Sequence, residues 1–340
     1  MNSHINGQAS DSRATRLLAE CLADQRLGGI ITSRALSLIP VYGGNTTNST
    51  EYRTLCEAIS LGEVLVTEDS QARVNGLRVL NGGNLPVLIL DGEEIVGGLQ
   101  NRVVNTTLLI PPKTTFDLPV SCIEHGRWRE SASAFQTGEA VHPTLRRQKS
   151  QQVTANLQFA EGPVANQQAI WAEVDTRHRS ARTYSATAAL RDVYVQRGPD
   201  LDIIVNELEC PSDNPTGIVA LFDGHAACAD LFDRPETLRL YWDRLVRSYA
   251  LEALDRAHHE PSRASAARLL LRPLKATLMP FASIGVGVDV RINGNGVVGA
   301  ALVHGRSVVH VGLFRQREWG IGGDVQSPRM RARRSAGREQ

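Results

Sequence analysis

The chain has 340 residues, of which 42 % are hydrophobic and 21 % charged, close to the globular norm and enough for a large core. A formal net charge of +1 excludes an overall electrostatic design for DNA or acidic membranes, and no uninterrupted apolar run approaches the roughly 20 residues that span a bilayer. The cysteines, Cys21, Cys56, Cys122, Cys210 and Cys228, are odd in number and form no Cys-x-x-Cys pair, which excludes a disulfide framework and a zinc site and reads as reduced thiols of a cytoplasmic protein.

Residues 1–12 are polar, carry no basic region followed by an apolar stretch, and read as a disordered N-terminus. From Arg13, RATRLLAECLADQR sets Leu17, Leu18, Cys21 and Leu22 at helical spacing. GIITSRALSLIPVY reads as strand, and Ser49-Thr50 ahead of EYRTLCEAISLG open a second helix that Gly62 closes. A strand-rich block follows through EVLVTED, RVNGLRVLN, LPVLILDG and EEIVGG. From His142 to about Gly198 the period turns helical, in HPTLRRQKSQQVTANL, ANQQAIWAEVDTRHRS and YSATAALRDVYVQ. TGIVALFDGHAACADLF then joins two apolar runs at Asp223-Gly224, the chemistry of a type I′ hairpin turn.

The clearest helix comes next. Asp233 and Glu236 are spaced as a capping box around Pro235, and Leu238, Trp242, Leu245, Tyr249 and Ala253 form one stripe. FASIGVGVDVRING, GVVGAALVHG and SVVHVGLF close the fold near Phe314. The expected class is α+β: antiparallel or mixed sheets built from hairpins, packed against a middle helical segment and a long amphipathic helix. Residues 13–314 should form a single domain, and 315–340 a Gly/Arg-rich flexible tail.

One hairpin is expected to carry a site. GGLQNRVVNTTLLIPPKTTFDLPVSCIEHGRW places two β-like runs around a Pro-Pro-Lys turn. Pairing Ile110 with Phe116 and Leu108 with Leu118 keeps the apolar residues on one face, sets Val104 against Cys122 and puts Arg102 opposite Glu124. Gln100, Asn101, Arg127 and Trp128 then crowd the same end, so two polar clusters become one. It reads either as a structural ion pair at the rim of the core or as a site. As a site, Glu124 and Arg102 are the catalytic candidates, and Gln100, Asn101, Arg127 and Trp128 suit phosphate and ring recognition. Lys149, on the stripe of Leu145, Val153 and Asn156, joins the ligand-binding set if its ammonium turns inward rather than snorkelling. Trp171, beside Ile170 and Val174, reads as core.

The same residues resemble the ARG and rhodanese-phosphatase-superfamily-associated protein domain family, whose pattern G-x-Q-N-R-v-v-N…P-v-S-C-x-E-x-G-R-W is matched from Gly98 to Trp128. Similarity continues through QKSQQV, NQQAIWAEV, GIVALFDGHAACADLF, LRLYWDRLVRSYALEAL and GNGVVGAALVHGRSVVHVGLF, covering about residues 60–314. It departs at His125, where the family pattern carries Gln. The resemblance implies an association with ADP-ribosylglycohydrolases, and through it ADP-ribose or NAD-type nucleotide metabolism, without specifying a mechanism. A ligand-binding domain or enzyme with a nucleotide-like small-molecule partner is the leading expectation. A non-catalytic interaction scaffold with a structural Arg–Glu cluster is the alternative.

Other motifs carry less. Gly294-Asn295-Gly296-Val297-Val298-Gly299 is a literal G-x-G-x-x-G, but the apolar β-branched run after it reads as a hairpin, not a dinucleotide fingerprint. His258-His259-Glu260 lacks zinc spacing, and His310 reads as a satisfied core histidine or a functional one. The Arg-rich tail reads as a solvated charge block rather than a nucleic-acid contact. No P-loop, nucleophile elbow or metal-ligand cluster is present in the sequence, so no cofactor and no metal are expected.

Overall fold

The computed structural model describes residues 2–43, 50–68, 76–127 and 135–316; Trp128 and most of the 315–340 tail lie outside them. Among the described residues, strands pair into sheets of nine, six and three strands, antiparallel except for Arg53–Thr54 against Val87–Ile89. The nine-stranded sheet draws on both ends of the chain. Its centre pairs Leu36–Tyr42, Gly217–Phe222, His225–Phe232 and Ser307–Arg315 in that order. Along Gly217–Phe222, Ile218, Ala220 and Phe222 enter one core while Val219 and Leu221 enter another. Burial on both faces explains the unbroken apolar run GIVALF.

One face of this sheet is covered by the helices Asn2–Ala23 and Arg263–Leu271, through Leu18, Leu22, Leu269 and Leu270. The other is covered by Pro143–Gln158 and Pro235–Ala253 with the shorter helices between them, and Leu238, Trp242, Leu245, Tyr249 and Ala253 are all buried there as their stripe predicts. The same core takes in Val103 and Leu109 from the first β block and Val298, Leu302 and Phe314 from the last. The expected α+β class is therefore the observed one. A third core lies between the six- and three-stranded sheets, lined by Val66, Val79, Ile89, Val104, Leu118 and Val120.

Several local expectations change. The first helix spans Asn2–Ala23, beginning ahead of the Arg13 that its apolar spacing suggests. Ala14, Leu18 and Leu22 anchor its C-terminal half, and with no proline ahead of them the helix extends at one hydrogen bond per residue. The second helix, Leu55–Ser60, is capped by Thr54 with Glu57 closing the box, not by Ser49-Thr50. Asp233 does not cap Pro235–Ala253; it is buried and accepts hydrogen bonds from Tyr52 (2.6 Å) and Ser307 (2.9 Å). Gly198–Glu207 and Arg263–Leu271 are helices that the apolar spacing did not reveal. Asp223 and Gly224 both take positive φ, as does the Asn295-Gly296 turn between two paired strands. The glycine-rich run is a hairpin.

The expected 104–122 hairpin is only half right. Arg102–Val104 does pair antiparallel with Thr114–Cys122, but with Val104 against Val120 and Arg102 against Cys122. Leu108–Ile110 leaves this sheet for the three-stranded one, and Thr114–Pro119 pairs with Gly76–Asn81 instead. The reason is two-sided burial: Leu109 belongs to the main core while Leu108 and Ile110 belong to the third, which one hairpin face cannot satisfy. The shift is two residues, so each side chain keeps its face. It nevertheless carries Glu124 past Arg102, and the direct Arg102–Glu124 pair does not form.

Candidate functional site

Glu124 takes Arg127 as its partner. Arg127 Nε and Nη2 donate to the two carboxylate oxygens at 2.9 and 2.7 Å, Thr187 Oγ1 donates at 2.8 Å and the Asn101 backbone N–H at 3.1 Å. Burial would push the carboxyl up, but these donors outweigh it and hold it below the usual range. The remaining Arg127 edge donates to the Gly98 carbonyl (2.7 Å) and to Asn101 Oδ1 (3.1 Å). The glycine of the motif has a steric cause. Gly98 has φ +55, and a Cβ there would stand 2.3 Å from Glu68 Oε1 and 2.5 Å from the Phe135 ring. Gln167 fixes the neighbouring strand from the outside, its amide clamping both the N–H and the C=O of Cys122 at 2.8 and 2.7 Å.

Gln100 and Arg102 are less fully paired. Arg102 Nη1 donates to the Gln100 carbonyl at 2.8 Å and more weakly to its Oε1 at 3.4 Å, while Nη2 stands 3.8 Å from Glu68. Among the described residues, Arg102 Nε and Gln100 Nε2 are buried donors with no acceptor, on residues 2 % and 0 % exposed. Five expected site residues, Gln100, Asn101, Arg102, Glu124 and Arg127, thus gather at one end of the six-stranded sheet. Trp128 lies outside the described residues. Trp171 is half-buried rather than core, with its ring 5.4 Å from that of His125.

Lys149 does turn inward, but to another place. Its ammonium meets Asp91 and the Val104 carbonyl. Burial lowers its pKa against the pull of Asp91. Beside it, Arg146 grips Asp230 with both nitrogens (2.9 and 2.6 Å), and Tyr249 and His310 Nε2 donate to the same carboxylate at 2.5 and 3.0 Å. Asp91 N–H donates to Thr107 Oγ1, leaving that hydroxyl proton for His310 Nδ1 at 3.0 Å. Arg291, held by Ser150, Thr154 and Asp289, completes a buried polar junction between the two β blocks. His310 is the satisfied core histidine.

The stretch Asp91-Gly92-Glu93-Glu94 feeds separate clusters. Asp91 serves Lys149, and Glu93 accepts from Arg244 (2.9 Å) and Tyr241 (3.2 Å). Glu94 Oε2 accepts the Glu139 N–H at 3.1 Å and stands 3.6 Å from Arg191, while Oε1 is buried with no partner among the described residues. Burial pushes Glu94 up to about 7, against the charge of Arg191, with the Glu139 and Glu124 charges adding to the rise. Gly138 makes room for it, since a Cβ there would lie 2.1 Å from Glu94 Oε2. EEIVGG reads simply as strand, which hides the role of these acids. Consecutive acids on an otherwise apolar strand were the available signal. Among the described residues no group of three or more His, Cys, Asp and Glu is placed to hold a metal ion, and no helix is long and apolar enough to cross a membrane.

Fold and site together define an α+β domain of antiparallel sheets whose polar chemistry is buried at sheet ends and junctions. The chain belongs to the family of the ARG and Rhodanese-Phosphatase-superfamily-associated Protein domain, whose model matches residues 24–314. Comparison with curated proteins and with solved structures gives no match.

Proposed function

We propose that the Gln100–Arg102 end of the six-stranded sheet binds the anionic part of a nucleotide-type ligand of the ADP-ribose or NAD class. The observation that carries this is a pair of buried N–H donors, Arg102 Nε and Gln100 Nε2, that have no acceptor among the described residues. A buried donor without an acceptor is costly and calls for a partner. Oxygen acceptors of a phosphate or pyrophosphate match the donors, and a guanidinium is the side chain suited to them. The nucleotide class rests on the family's association alone. In this reading Asn101, Glu124 and Arg127 shape the binding loop, and Glu124, ionised and fully hydrogen-bonded, positions Arg127 rather than exchanging protons. Lys149 belongs to the structural junction.

The second reading, an interaction scaffold with a structural cluster, is favoured by the saturation of Glu124. Thermal unfolding of the purified chain with ADP-ribose, NAD, AMP or inorganic pyrophosphate separates them, because a ligand that binds only the folded state raises the transition. The ligand reading expects a saturable rise with ADP-ribose or NAD that Arg102→Gln abolishes while leaving the ligand-free protein folded. No shift with any of these anions favours the scaffold.

A further inference from the structure

A cleft of about 360 Å³ lies away from the motif cluster, lined by Thr54, Cys56, Glu57, Ser60, Leu61, Leu240 and Arg244. One wall is the short Leu55–Ser60 helix and its last turn; the other is the outer face of Pro235–Ala253. Its volume falls within the range of small-molecule sites. Leu61 and Leu240, at 58 % and 48 % exposure, give the concavity its apolar lining.

The polar chemistry converges on Arg244. Nη1 donates to buried Glu93 and the guanidinium lies over the Tyr241 ring at 4.7 Å, which together fix its plane. Among the described residues Nε and Nη2 have no acceptor, and the side chain, 18 % exposed, reaches the cleft. The acid on the wall, Glu57, is already engaged by the N–H and hydroxyl of Thr54. What the cleft offers is an apolar trough ending in an immobilised guanidinium edge. We infer that it is a second ligand site, for a small amphipathic carboxylate: the tail lies along Leu61 and Leu240 and the head accepts from Arg244. This site is independent of the one at Arg102.

Cys56, exposed within the lining, supplies the reporter. The probe is octanoate, with octylamine as the same tail carrying the opposite charge, and the readout is the rate of Cys56 alkylation by iodoacetamide followed by peptide mass spectrometry. Octanoate at about ten times its dissociation constant should slow alkylation about tenfold, while octylamine should not, and alkylation of half-buried Cys21 and Cys210 should be unchanged by either. Arg244→Gln should abolish the protection. Because that variant leaves Glu93 without its cation, Leu240→Glu serves as the second test; it alters an exposed position and should also abolish it. Equal protection by both probes, no protection by octanoate, or protection that survives in Leu240→Glu would overturn the assignment.

Discussion

An ionised carboxylate has about four lone-pair positions, and in Glu124 the donors from Arg127, Thr187 and the Asn101 backbone occupy them all. Glu124→Ala should therefore cost about 3 kcal/mol in chemical denaturation, because Arg127, only 16 % exposed, loses its counter-charge. Glu124→Gln should recover little of this, since its amide turns N–H groups toward existing donors; near-wild-type stability would contradict the saturated geometry. Gln100→Leu is the opposite case. It deletes a buried Nε2 donor that has no acceptor among the described residues and gives up only the weak 3.4 Å bond from Arg102 to Oε1. The ligand-free protein should therefore keep or raise its melting temperature, and a fall of many degrees would reveal a partner for that donor. Glu94 makes a pH prediction. Its folded pKa of about 7 lies above the ordinary 4.5, so its contribution is complete below pH 4.5 and is lost as pH rises through 7. Glu94→Gln should match wild type near about pH 5 and exceed it near about pH 8 by on the order of 1–3 kcal/mol. A difference independent of pH would contradict the buried-acid assignment.

At the scale of elements, Thr54 is the clearest single cap: its hydroxyl accepts from Glu57 N–H, and Glu57 reaches back to the Thr54 N–H. Thr54→Ala should cost about 1 kcal/mol and loosen a wall of the Arg244 cleft, measurable as faster hydrogen exchange across Leu55–Ser60. Much of this level was legible in the sequence. The Asp223-Gly224 turn, the buried stripe from Leu238 to Ala253 and the face assignment of the 102–122 hairpin all follow from local periodicity or turn chemistry. The departure of Leu108–Ile110 into another sheet does not, because alternation reports which face is apolar and says nothing of a second core waiting on the other side. The Arg102–Glu124 pairing failed for the same reason. A two-residue shift preserves every face, so the pattern cannot distinguish the two registers, and the choice rests on long-range partners such as Gly76–Asn81.

For the whole molecule, the decisive feature is that one core joins Val103 and Leu109 to Val298 and Phe314, while Lys149, Arg146, Asp230 and Arg291 link the same blocks through buried polar contacts. Such a body should unfold in one calorimetric transition with equal calorimetric and van't Hoff enthalpies; two resolved transitions would separate the β blocks. The buried junction was invisible in the sequence because its members, from Asp91 to Arg291, are brought together only by the fold. Side-chain ¹⁵N NMR directly observes the Arg102 and Gln100 donors, which have no acceptor among the described residues. On titration with ADP-ribose, the Arg102 Nε–H and Gln100 amide resonances should shift saturably, while that of Arg127 Nε, already bonded to Glu124, should move far less. Arg102 and Gln100 signals that stay fixed at saturating ADP-ribose and NAD would contradict the claim.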